Sequence, residues 1–211
     1  MGTTLTEQLK NRHAATWASV IEHRFVRELT AGSIDDKVMA SYLIQDYRFF
    51  KVFLSLIGAA IAQADNLTAK LTFGRFAGSI SSDENTYFTR ALAALGIDER
   101  QFNQPPDTLA TAGFKAIMQE AAGSGSYAAI LSVLNVAEGS YLEWASANAA
   151  PLPENFIHAE WITLHNNPEF AAFVHFLHRE LDRVGPTHEA LCEDFFRRAV
   201  ALEKDFFDSV Y

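Results

Sequence analysis

Apolar residues recur at three- and four-residue spacing through most of the chain, and alternation of apolar with polar positions is almost absent. That periodicity predicts an all-helical protein. A first helix is expected from about Leu5 to Glu22, with Thr3, Thr4 and Thr6 as cap candidates and Leu9, His13, Trp17, Val20 and Ile21 on one face. A short helix from Phe25 to Leu29 should end at Ala31-Gly32. Ser33 or Asp35 then caps a long helix carrying Met39, Tyr42, Leu43, Asp46, Phe49, Phe50, Phe53, Leu56 and Ile57 as far as Ala64. A fourth helix, from about Leu67 to Leu95, is expected to break near Gly78 to Ser82, because Ser81-Ser82-Asp83-Glu84 reads as a fresh N-cap. Gly96 stops it. Interruptions at Asn103 to Pro106, Gly123 to Ser126, Pro151 to Pro153 and Gly185-Pro186 leave helices near 107–122, 126–147, 154–165, 168–184 and 187–210. None of these breaks is long enough for an interdomain linker and no repeat of fixed period occurs, so one domain over residues 1–211 is expected.

Composition narrows the class. With 211 residues, 49% of them hydrophobic and 20% charged, the chain can bury a sizeable core. Seventeen Lys and Arg against 26 Asp and Glu give a formal charge of −9, which argues against nucleic acid as a partner. The single cysteine, Cys192, excludes an intrachain disulfide and any Cys-rich zinc or cluster site, and a reducing cytoplasm is the expected location. The first residues, MGTTLTEQLKNRHAA, hold no apolar signal region, and no run approaches the roughly 18 apolar residues that a membrane span requires.

Three carboxylates stand out against this background. The segment from Tyr127 to Tyr141 is apolar nearly all round, which marks a helix inside a bundle, yet Ser132, Asn135 and Glu138 interrupt it at three-residue spacing. Placed on a shared track, they form either a structural hydrogen-bond network or part of a site, because a buried carboxylate is costly unless paired or used. Asp46 lies in the aromatic-rich stretch Tyr42-Leu43-Ile44-Gln45-Asp46-Tyr47-Arg48-Phe49-Phe50. There a flat ring can stack while the carboxylate accepts from its amino group; pairing with Arg48 is the plain alternative. Glu203 follows Val200-Ala201-Leu202 on the last helix; by itself, beside Lys204 and Asp205, such a residue is more often an exposed charge.

The run His23-Arg24-Phe25-Val26-Arg27-Glu28-Leu29-Thr30-Ala31-Gly32-Ser33, followed by Tyr42-Leu43-Ile44-Gln45-Asp46-Tyr47, resembles the opening of the TenA/thiaminase II family. Leu131-Ser132 through Ala137-Glu138-Gly139 is similar to that family's central helix, Trp161-Ile162-Thr163-Leu164-His165 to its W-I-x-x-Y segment, and Leu202 to Phe207 to its terminal motif. The resemblance implies a haem-oxygenase-like helical bundle, a homotetramer, and a pocket for a small aminopyrimidine that needs no cofactor or metal. Carried over residue by residue, it puts the pyrimidine-binding aspartate on Asp46 with aromatic neighbours Tyr47 and Phe49, the acid/base glutamate on Glu203, and the central-helix glutamate on Glu138. The position of the family's catalytic cysteine falls on Ser132. Asn135, between Ser132 and Glu138, joins the substrate-binding set, as does His165 at a tyrosine position; Thr111 falls near another. Serine has too high a pKa to replace a thiolate without a strong adjacent base. The family's cysteine-free members, which act on aminopyrimidine breakdown products of thiamin through carboxylates and water, are therefore the better pattern.

Three rival readings compete. A descendant that binds pyrimidines without turning them over, or a regulator, retains Asp46 and the aromatics; direct DNA binding finds no support in the charge. A haem reading rests on His13 alone. A non-haem metal oxidase would draw on His175, His178 and Asp182, an HxxHxxxD run, with Glu138.

Overall fold

The structure, a computed structural model, describes residues 2–103, 105–148 and 151–211. Twelve α-helices account for most of these residues, and no strand occurs among them. They are α1 (Leu5–Arg12), α2 (Ala14–Ile21), α3 (Arg24–Thr30), α4 (Asp36–Gln63), α5 (Leu67–Ser79), α6 (Asn85–Ala94), α7 (Glu99–Asn103), α8 (Leu109–Gly123), α9 (Tyr127–Ala147), α10 (Phe156–Leu164), α11 (Pro168–Val184) and α12 (Glu189–Asp208). A π-helical turn, Ile80–Glu84, joins α5 to α6, and a 3-10 turn, Gly185–His188, joins α11 to α12.

The near-continuous apolar run of α9 makes it the axis of the bundle. It packs against α2, α4, α8, α11 and α12. Leu131, Val133, Leu134 and Val136, pointing in different directions around it, are all fully buried. The long α4 runs beside α8 and α5, so its apolar stripe faces the same interior. Capping follows the sequence closely. Thr4 and Glu7 form a reciprocal capping box at α1, and Asp35 Oδ1 accepts from the Lys37 N–H at 2.8 Å to start α4. Gly32 and Gly96 end α3 and α6 with φ of 68° and 72°, a left-handed conformation that side-chain-bearing residues rarely adopt.

Two expectations need correction. The first helix is broken at His13, whose backbone leaves the helical region (φ −111°, ψ 23°). Its imidazole is held by Glu193 and stacks on Phe196 with ring centroids 6.1 Å apart, so contacts with α12 override a continuous helical pattern. The second concerns Ser81 to Glu84, which do not cap a new helix. Here the chain widens into a π-turn, with the Asn85 N–H bonded to the Ile80 carbonyl. Ser81 Oγ and Ser82 Oγ donate back to the carbonyls of Ala77 and Gly78, at 2.6 and 3.1 Å. Such back-bonding competes for carbonyls of the regular ladder, and π-turns inserted in helices favour functional sites. Elsewhere the expected and observed helices differ by a residue or two at their ends, save for the short α7, which was not anticipated.

Candidate functional site

Successive residues on an α-helix are separated by about 100°, so positions 46, 49, 50 and 53 of α4 share one stripe. Asp46, Phe49, Phe50 and Phe53 form one wall of a pocket in the bundle. Phe114 and Met118 of α8, Ala137, Glu138 and Tyr141 of α9, Trp161 and His165 of α10 and its end, and Glu203 of α12 complete it, with Glu84 entering from the π-turn. Four carboxyl groups thus face one aromatic cavity that no Lys or Arg lines.

Their environment sets their protonation. Burial raises the Asp46 pKa to about 7, partly offset by hydrogen bonding from Tyr42. Burial, with Glu203 and Asp46 nearby, raises Glu138 to about 8. Glu203 and Glu84 are pushed well above the carboxylate range, first by burial and then by their acidic neighbours. Like charges in a dry cavity cannot all ionise, so the empty pocket retains protons. Asp46 is 7% exposed, and its Oδ2 is buried without a partner. Such an orphaned acceptor costs free energy that a donor on a ligand would recover.

His165 plays a complementary part. Its Nδ1 donates to the Trp161 carbonyl at 2.8 Å, which leaves Nε2 as the lone-pair nitrogen. Burial drops its pKa to about 4, so the ring is neutral at pH 7 and can accept from a ligand N–H. Tyr42 and Tyr141 share a 2.7 Å hydroxyl–hydroxyl hydrogen bond behind Asp46, and burial holds both phenols protonated. Trp161 packs edge-on against His165, with centroids 4.4 Å apart and ring planes at 68°.

The structure brings together Asp46, Phe49, Glu138, His165 and Glu203, and it places Tyr47, Ser132 and Asn135 outside the pocket lining. Tyr47, about 100° round the helix from Asp46, turns toward the π-turn junction and donates to Asn85 Oδ1 at 2.7 Å. The shared track expected on α9 does not exist. Steps of three residues fall short of a full turn, so Ser132 and Glu138 lie about 120° apart. Ser132 Oγ donates to the Ala128 carbonyl at 2.8 Å, and Asn135 Nδ2 donates to the carbonyls of Leu131 and Leu177 at 2.8 and 3.2 Å. Thr111 likewise points elsewhere, donating to Gln45 Oε1 at 2.8 Å in a network that ties α4 to the start of α8. Glu84, Tyr141 and Trp161 were not anticipated. Glu84 carried a misleading cap signature, whereas Tyr141 lies about 60° from Glu138 on the side of Ala137, opposite to Asn135.

Of the metal-oxidase residues, Asp182 is engaged in structure and Glu138 lines the pocket. Asp182 Oδ1 accepts from the Thr6 N–H at 2.8 Å, and burial lowers His178 to about 4. Among the described residues no group of three or more His, Cys, Asp or Glu is arranged to hold a metal ion. No helix among them is long and apolar enough to cross a membrane.

Residues 10–211 match the TENA/THI-4/PQQC family. An aminopyrimidine aminohydrolase of Helicobacter pylori is 23% identical over 173 residues, covering 81% of this chain and 79% of that protein. Among solved structures, a TenA homologue from Pyrococcus furiosus superposes with a TM-score of 0.87 at 21% identity, covering 98% of this chain and all of that one (100%). A Shewanella denitrificans domain with a heme oxygenase-like fold superposes at 0.70 with 16% identity over 96% of this chain and 90% of that one, so the bundle is haem-oxygenase-like.

Proposed function

Because the chain belongs to the TENA/THI-4/PQQC family, we propose that its carboxyl-lined pocket hydrolyses an aminomethylpyrimidine of thiamin salvage or degradation, releasing ammonia. The observation that carries this reading is Asp46, a buried carboxylate whose Oδ2 has no partner, set among aromatic side chains and three further carboxyls. An aminopyrimidine offers a flat ring for Phe49 and its neighbours, N–H donors for Asp46 and His165, and a basic amine that answers the surplus of acidic groups. That a Helicobacter pylori relative is named an aminopyrimidine aminohydrolase supports the same class of substrate.

The chemistry follows from the protonation pattern. The substrate amine enters as an ammonium ion, and its charge draws down the pKa values of the carboxyls around it, so that Glu203 ionises. A water oxygen bonds to the exocyclic methylene carbon as the carbon–nitrogen bond breaks. Glu203 takes the proton that the water gives up, and the nitrogen departs as ammonia. Asp46, accepting from the ring amino group, increases electron donation toward the carbon that loses its nitrogen. Glu138 balances charge between the two.

A covalent route through a thiolate finds no thiol at the pocket. The one cysteine, Cys192, is fully buried against the Gly185 carbonyl at 3.9 Å, its pKa raised by burial. Ser132 hydrogen-bonds its own helix instead. The test is to follow ammonia release from a 4-amino-5-aminomethylpyrimidine alongside thiazole release from thiamin, for the wild type and Ser132→Ala. The expected outcome is turnover of the aminomethyl compound, little action on thiamin, and a change of less than about three-fold from Ser132→Ala, since a hydroxyl serving its own helix is worth about 1 kcal/mol of stability and touches no substrate. Efficient thiamin cleavage abolished by Ser132→Ala would instead identify a serine nucleophile and refute the water mechanism.

A further inference from the structure

We propose that Glu84, delivered into the pocket by the π-turn, is a specificity residue that binds the departing amine of the substrate as its ammonium ion and distinguishes it from the neutral alcohol product. This deepens the hydrolytic reading above and rests on it.

Three observations converge on Glu84. The first is its source. The π-turn packs with α5 and α6, whereas α12, which carries Glu203, packs with α2, α8 and α9. Glu84 and Glu203 therefore reach the cavity from different walls, with Asp46 and Glu138 on the intervening helices α4 and α9. The electrostatics agree. Glu84 feels Glu138 and Asp46, Glu203 feels Asp46, and neither is shifted by the other.

The second is the absence of any internal partner for its charge. The pocket lining holds Glu84 with three other carboxyls and the neutral His165, and no basic side chain. Tyr87, on α6 next to the turn, is kept protonated by burial and supplies no positive charge. The third is the orphaned Asp46 Oδ2, more than nine-tenths buried, which shows that the cavity is built to receive donors.

Displacement at a saturated carbon places the incoming water and the leaving nitrogen on opposite sides of that carbon. With Glu203 serving the water from one wall, the leaving nitrogen points toward the other, where Glu84 stands. A carboxylate there forms a charge-assisted hydrogen bond with an ammonium but only an ordinary one with a hydroxyl. The substrate is thus held more tightly than the alcohol that replaces it, and product leaves without competing for the charged subsite.

Calorimetric affinities for a 4-amino-5-aminomethylpyrimidine and its 5-hydroxymethyl counterpart test this on the wild type, Glu84→Gln and Glu84→Asp. Glu84→Gln should weaken the amine about ten-fold or more while moving the alcohol by less than about two-fold. Glu84→Asp, which keeps the charge, should retain most of the preference. Equal losses for both ligands, no loss in Glu84→Gln, or a preference lost as fully in Glu84→Asp as in Glu84→Gln would each overturn the assignment. A wild type that binds neither pyrimidine overturns the substrate class itself, and this inference with it. Discrimination that survives in a wild type without turnover would refute hydrolysis while leaving the Glu84 assignment standing.

Discussion

Asp46 and Glu138 were legible in the sequence because each is a carboxylate inside an apolar or aromatic helical stretch, where burial without purpose is costly, whereas Glu203, beside Lys204 and Asp205, reads as an exposed charge and enters only through the family resemblance. Their cost has a measurable sign. The folded pKa of Asp46, about 7, lies above its ordinary value of 3.8, so between those pH values the folded protein holds a proton that the unfolded chain releases. Stability from this group is therefore full below about pH 4, falls as pH rises through 7, and is flat above that. Asp46→Asn removes the penalty. Thermal unfolding should show the variant and the wild type close together near pH 4.5, and the variant more stable at pH 8 by on the order of 10 °C. The same substitution should weaken pyrimidine binding, a trade of function for stability seen at strained sites. A variant less stable than the wild type at pH 8 would mean that the Asp46 carboxylate is compensated in the fold.

At the level of helices, periodicity disclosed nearly all the elements, since the bundle buries one stripe of each and α9 all round. It failed where tertiary contacts or backbone chemistry intervene. His13 breaks the first helix because Glu193 and Phe196 hold its ring. The serines before Glu84 widen a turn instead of capping one, because their hydroxyls find carbonyls four residues back. The three-residue spacing of Ser132, Asn135 and Glu138 misled in another way, since the track drifts round α9 and carries the first two away from the pocket. Asn135 then serves structure: its fully buried amide bridges α9 to the Leu177 carbonyl of α11. Asn135→Ala should cost about 1–3 kcal/mol in denaturant unfolding while leaving pyrimidine affinity within about two-fold. A selective loss of affinity at unchanged stability would return Asn135 to the binding site.

Across the whole molecule, the aromatic side chains of α4, α8, α9 and α10 meet around a cavity with four acidic walls, inside a chain of formal charge −9. The field of the protein and the chemistry of the pocket thus favour the same kind of ligand, a small flat cation. None of the individual motifs required that convergence; it arises because the bundle folds α4, α9, α12 and the π-turn onto one point. In the proposed reaction a carboxyl group, and not a nucleophilic side chain, moves the proton of an attacking water. The decisive comparison is the rate of ammonia release from a 4-amino-5-aminomethylpyrimidine by Glu203→Gln and by the wild type at saturating substrate. A fall in kcat of about 10²–10⁴-fold with binding retained is the predicted result. A kcat within about three-fold of the wild type would contradict it.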